Sequence, residues 1–186
     1  DLIVSRGLGD VYKRQAAGDI VRGASLVVWG IRDGRDVANS IHSYIEAKKL
    51  ADSAGSSEKI SYEIADAKSY SGNYDYIAFF DCLHDMGDPV GAAKYAFDHL
   101  NDGGAVILIE PTANDKPEEN FNIYGQMYYS FSTMGCIPVS KSQEVGLALG
   151  AQAGPAKLIE VLEKAGFKDC KIVKKNATNM VLEARK

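Results

Sequence analysis

The stretch from Tyr74 to Ile109 reads as a strand, a helix and a second strand joined by short connectors, and this unit fixes the fold class. Tyr76–Phe80 is a short apolar strand. Asp88 stands at the N-cap of the next helix, with Pro89 at its first position, the two residue types most suited to those places. From Pro89 to Leu100 the helix carries Ala92, Ala93, Ala96, Phe97 and Leu100 on one face, at the 3.6-residue period. Asn101-Asp102-Gly103-Gly104 stops it, and Ala105–Ile109 (AVILI) follows as a continuous apolar strand of the kind buried on both faces. Strands alternating with helices imply a parallel sheet. Upstream, Lys59–Ile64 alternates as a further strand ending at Ala65-Asp66-Ala67, and Gly72-Asn73 turns the chain into Tyr76.

The second half ends differently. After Glu110-Pro111 come a polar loop, a helix over Asn122–Thr133 and a Gly- and Ala-rich loop at Gly146–Gly154. Pro155–Ala165 is an amphipathic helix whose buried stripe is Leu158, Val161, Leu162 and Ala165, ended by Gly166. Asp169–Lys175 and Asn179–Ala184 are strands separated by only a few residues around Asn176-Ala177-Thr178. So short a link permits an antiparallel hairpin and forbids a parallel crossover. The expected fold is α/β, a doubly wound, mostly parallel sheet with a C-terminal antiparallel hairpin.

Several classes of function are excluded by composition. The net charge of −4 with mixed signs offers no footprint for nucleic acid. No apolar run reaches the length of a membrane span, and no secretory signal is visible. Cys82, Cys136 and Cys170 are odd in number and widely spaced, which argues for reduced thiols in a cytoplasmic protein and against a disulfide framework or a zinc site.

Three strand ends carry acids, Asp66, Asp81 and Glu110. In a doubly wound sheet such ends line one crevice, which suits a nucleoside ligand. A single acid there is more often a turn or helix cap; three together shift the balance toward a site. His84 lies just past Asp81, and its imidazole serves either as a general base or as a residue that orients the loop. Tyr124, Met127, Tyr128 and Phe131 recur at near-helical spacing, as a core stripe or as an aromatic lid over an acceptor.

YDYIAFFDCLHDMGDPVGA, followed by AVILIEP, resembles the region after the fourth strand of class I S-adenosylmethionine-dependent methyltransferases. SQEVGLALGAQAG and the ending NMVLEAR are similar to a bacterial subfamily with an N-terminal winged-helix domain. The resemblance covers roughly Glu58 to Lys186. It implies a Rossmann-like sheet, S-adenosylmethionine as cofactor and methyl transfer to a small-molecule acceptor. It also implies that Asp66 and Ala67 contact adenine, that Phe80 and Asp81 lie along the methionine part, and that His84 faces the acceptor. Tyr124, Tyr128 and Gln143 are the expected acceptor contacts, with a turn-stabilising role for Gln143 and Glu144 as the alternative. A homodimer formed through the N-terminal domain is the expected assembly.

The front of the chain departs from that pattern. The glycine-rich loop has only Gly30 and Gly34 as candidates, with Val28 where an acid belongs and Arg32 in place of the middle glycine. Between Gly34 and the next strand there is room for one helix, Ile41–Ala54, and no convincing second strand. Residues 5–15, SRGLGDVYKRQ, resemble the in-frame translation of a transposon-based sequencing adapter. The expectation is therefore a non-native segment at 1–15 and an N-terminally incomplete methyltransferase domain at 16–186. A nicotinamide-dependent oxidoreductase and a non-catalytic interaction module on the same scaffold are the alternatives.

Overall fold

The computed structural model describes residues 65–186 and, before them, His42, Ile45, Glu46, residues 48–50, Asp52, Ser53 and Gly55. The expected strand Lys59–Ile64, Gly30, Gly34 and residues 1–15 lie outside the described residues. The chain divides into two units, Asp1–Tyr70 and Ser71–Lys186. In the first, the described positions from His42 to Ser53 are helical, in keeping with the helix expected at Ile41–Ala54. Asp66 closes a turn: its carboxylate accepts from the Lys68 N–H at 2.6 Å, and its carbonyl accepts from the Ser69 N–H at 3.1 Å.

The second unit holds a four-stranded sheet. Strand β1 is Tyr74–Phe80 and helix α1 is Pro89–Asp98, with a 3-10 turn at Leu83–Asp85 between them. Strand β2 is Leu100–Pro111. Helix α2 (Ile123–Phe131) passes through a π-helical stretch, Ser132–Cys136, into α3 (Ile137–Lys141). Helix α4 is Pro155–Lys164, and strands β3 (Lys168–Lys175) and β4 (Asn179–Arg185) close the chain.

The α1 cap forms as the sequence predicts, with the Asp88 carboxylate accepting from the Gly91 N–H at 2.8 Å and Pro89 in the first turn. Strand β2 begins earlier than expected. Leu100 already pairs with Tyr74, and the Asn101–Gly104 segment bulges out before Ala105 pairs with Tyr76; Gly103 (φ +77°) makes the bulge. The helix at 122–133 also runs on, to Lys141. Pro138, which lacks the N–H for a regular helical bond, is accommodated just after the wider π turns.

Strand order is β1-β2-β4-β3, with β1 parallel to β2 and β4 antiparallel to both of its neighbours. The hairpin of the sequence reading is present, and its second strand inserts beside β2. Helices α1 and α4 pack on each other through Ala92, Ala93, Ala96, Leu158, Val161 and Leu162, all at 2% exposure or less. Gly166 (φ +107°) ends α4, and Phe167 meets Phe97 edge-on at 5.2 Å. No helix among the described residues is long and apolar enough to cross a membrane.

Candidate active site at the carboxyl ends of β1 and β2

Parallel strands leave their last carbonyls and the following loops at one end of the sheet, where ligands of such folds bind. Here β1 delivers Phe80 and Asp81, and β2 delivers Glu110. Phe80 is 71% exposed. Asp81 adopts a left-handed backbone (φ +52°), which an aspartate tolerates better than most side chains. Its N–H donates to the Ile109 carbonyl at 2.7 Å, one residue past the paired register, so the backbone is pinned and the carboxylate is turned outward into solvent.

Glu110 behaves oppositely. Its side chain is buried at the end of β2. Oε1 accepts the Leu83 N–H at 3.0 Å, and Oε2 meets His84 Nδ1 at 2.5 Å. His84 is buried as well, and its Nε2 lies 3.2 Å from Asp85 Oδ1. Burial would lower the His84 pKa; the hydrogen bond and charge of Glu110, joined by Asp85 and Asp81, outweigh it and hold the imidazole above its ordinary value. Cys82, next to this pair, is pushed up to about 11 by burial and by Glu110, which leaves a protonated, inert thiol.

The Leu83–Gly87 loop is fastened from the far side by the segment 140–150. Ser140 Oγ donates to the Met86 carbonyl (2.8 Å) and accepts from the Ala148 N–H (2.9 Å). Gln143 Oε1 accepts the Gly87 N–H at 2.9 Å, and its Nε2 donates to the Asp85 and Val139 carbonyls at 3.1 and 3.3 Å. Backbone bonds from Leu147 N–H to the Gly87 carbonyl and from Gly150 N–H to the His84 carbonyl complete the lacing. The approach is so close that a Cβ on Gly87 would stand 2.5 Å from Gln143 Cβ and from the Glu144 carbonyl. The polar atoms of Gln143 are thus engaged in holding the loop, the turn-stabilising alternative to its expected place as an acceptor contact.

Tyr124 and Tyr128 lie on one face of α2. Tyr124 is 41% exposed, and the half-buried Tyr128 donates its hydroxyl to the Thr178 carbonyl at 2.8 Å. Burial, then the charges of Asp81 and Tyr124, raise the Tyr128 pKa, which marks this face of α2 as neighbouring the strand-end acid. Phe131 and Met127 on the same helix are exposed, so the stripe is not core. Asp66 and Ala67 belong to the first unit and are described only there.

Sequence reasoning noted Glu110 as a strand-end acid without linking it to His84, 26 residues away; a buried acid ending an apolar strand was the available signal. Asp85 and Cys136 carried no signal beyond their residue types.

This architecture, with a reversed strand inserted beside β2 and a ligand-facing end at β1, is that of the class I S-adenosylmethionine-dependent methyltransferases. A family profile described as a methyltransferase domain matches residues 33–170, and the chain belongs to that family. An O-methyltransferase family protein from Burkholderia thailandensis is similar in structure, with a TM-score of 0.55 and 16% identity over 75% of this chain and 40% of that one. A putative O-methyltransferase from Nostoc punctiforme gives a TM-score of 0.55 and 18% identity over 75% and 41% of the two chains. Human N-acetylserotonin methyltransferase, solved in complex with SAM, gives a TM-score of 0.53 and 21% identity over 69% and 34%. Among curated sequences, the small chain of glutamate synthase [NADPH] from Azospirillum brasilense is 67% identical over 43 residues, 23% of this chain and 9% of that one. The chain therefore spans less than a tenth of that relative and about two fifths or less of these three structural neighbours.

Proposed function

We propose that the chain carries the strand-end wall of an S-adenosylmethionine-dependent methyltransferase site acting on a small-molecule acceptor. The observation that carries this reading is the pairing of an exposed Phe80 with a backbone-pinned, outward-facing Asp81 at the end of β1. That donor set fits the cofactor: an aromatic surface for a largely flat ligand, and a carboxylate for its cationic part. When bound, S-adenosylmethionine supplies an electrophilic methyl group on a sulfonium.

The chain's own residues orient and desolvate. Glu110 fixes His84, and the lacing from Ser140, Gln143, Leu147 and Gly150 fixes the loop that bears both. With Nδ1 on Glu110 and Nε2 against Asp85, a protonated His84 has no lone pair for an incoming proton. It is therefore a positioning residue in this reading, in place of the general base. Displacement at carbon gains most of its rate from alignment and exclusion of water, so no base is required of it. Tyr124 and Tyr128 border the acceptor side. Gly30, Gly34, Asp66 and Ala67 remain proposed cofactor contacts. The setting that goes with this reading is a cytoplasmic protein, dimeric through an N-terminal winged-helix domain, with residues 1–15 of adapter origin. Membership of the methyltransferase family and the reversed strand β4 weigh against the oxidoreductase alternative.

Calorimetric titration of the chain with S-adenosylmethionine tests the reading, alongside Asp81→Asn, which keeps the left-handed backbone and removes the charge. Saturable binding weakened about tenfold in D81N, the effect of roughly 1.4 kcal/mol expected for a charged contact, is the expected result. Absence of binding by the unaltered chain, or affinity unchanged in D81N, overturns it.

A further inference from the structure

On the side of His84 away from Glu110, three donor atoms converge. Ligand atoms of His84, Asp85 and Cys136, one from each, lie within 4.8 Å of one another, and between the first two Nε2 and Oδ1 stand 3.2 Å apart. They come from two segments, the 3-10 turn after β1 and the π-helical stretch that follows α2. Asp85 Oδ1 is buried and takes no hydrogen bond among the described residues, although it stands 3.2 Å from Nε2. Without a metal the His84 imidazolium offsets the charge of this oxygen, and a divalent cation in its place would meet all three donors at once.

The geometry points to a divalent-cation site of the zinc class, formed by His84 Nε2, Asp85 Oδ1 and Cys136 Sγ. Tetrahedral zinc, with nitrogen and oxygen ligands at about 2.0–2.2 Å, holds them about 3.3 Å apart, close to the 3.2 Å found between Nε2 and Oδ1. The Glu110 carboxylate on Nδ1 is the outer partner that metal-bound histidines usually have, and it directs Nε2 to the ion. A sulfur, nitrogen and oxygen donor set favours zinc and its neighbours over magnesium or calcium, which take oxygen. π turns within helices are often found at functional positions, and here one carries Cys136. On binding, the thiol and imidazolium protons pass to solvent, and the ion clasps the β1 loop to the α2–α3 helix with a fourth position left for water. The alternative grouping of Asp81, His84 and Glu110 would use Nδ1, which Glu110 already holds. Cysteine spacing gave no hint of this site, because its ligands are 51 residues apart in sequence and adjacent only in the fold.

The site requires no methyl donor, so its test is separate from cofactor binding. The full chain is stripped with a chelator, dialysed and titrated with cobalt(II), and the near-ultraviolet thiolate-to-cobalt charge-transfer band is followed. One equivalent of cobalt should generate the band and zinc should abolish it by displacement. Cys82→Ser and Cys170→Ser should retain it, Cys136→Ser should lose it, and Glu110→Gln should weaken the affinity by about 10- to 100-fold. No band in the unaltered chain, or a band that survives in C136S, overturns the site. Should C136S fail to fold by circular dichroism, X-ray absorption of the zinc-loaded unaltered chain decides: a first shell without sulfur overturns it.

Discussion

Replacing Glu110 with Gln removes one charge from a pair that is almost entirely out of water, His84 and Glu110 having side chains 5% and 1% exposed. The amide oxygen still accepts the Leu83 N–H, so one of the two bonds survives. The other, to His84 Nδ1, changes from charge-assisted to neutral, and the imidazole loses the largest of the influences that raise its pKa. A hydrogen bond to a charged group is worth about 1.5–3 kcal/mol, below the ~3–5 kcal/mol for leaving a buried charge wholly unpaired. The pH dependence is more discriminating than the size. His84 has a raised pKa in the folded chain, so its contribution is fully present below the unfolded value of about 6.5 and is lost as pH rises through the folded value. Urea unfolding in the presence of EDTA should show E110Q less stable by about 1.5–3 kcal/mol near pH 6, with the gap to the unaltered chain narrowing as the pH is raised through the folded value. A gap that is constant across that range, or that widens with pH, would refute a protonated His84 held by Glu110.

Three further outcomes follow from the lacing and the core. Gln143→Ala deletes the acceptor for the buried Gly87 N–H and two donated bonds, and should cost about 1–3 kcal/mol in urea unfolding; Ser142→Ala, which loses only a local helix-end bond, is the comparison and should change little. Gly87→Ala brings a Cβ to 2.5 Å from neighbours that cannot retreat, so thermal unfolding should report a loss of about 1–3 kcal/mol or more. Asp88→Ala removes the α1 cap and should lower stability by about 1 kcal/mol, while Asp88→Asn should restore most of it.

What was legible in the sequence was local. The α1 cap, the stop at Gly166 and the β3–β4 hairpin depend on residues within a few positions of one another, and they lie close to where the pattern put them. The helix expected over Asn122–Thr133 was read too short, because the π turns at Ser132–Cys136 that carry it past Pro138 to Lys141 leave no local pattern. Long-range pairings were invisible: nothing in QEVGLALG announces that Gln143 spans to Gly87, or that Gly150 reaches the His84 carbonyl. The His84–Glu110 bond was half visible, as two polar residues at adjacent strand ends. Their burial against each other fits the orienting role that the sequence left open for His84 beside that of general base.

The position of β4 has a consequence for biosynthesis. The strand that completes the middle of the sheet leaves the ribosome after β1, β2 and β3. Until it arrives, β2 presents an open edge and β3 has no strand of the sheet to pair with. From the synthesis of β2 until that of β4, nascent chains of this kind carry a sticky, unsatisfied edge. Loss of Asn179–Arg185 would leave that edge unfilled, so the integrity of the whole sheet depends on its last-made strand.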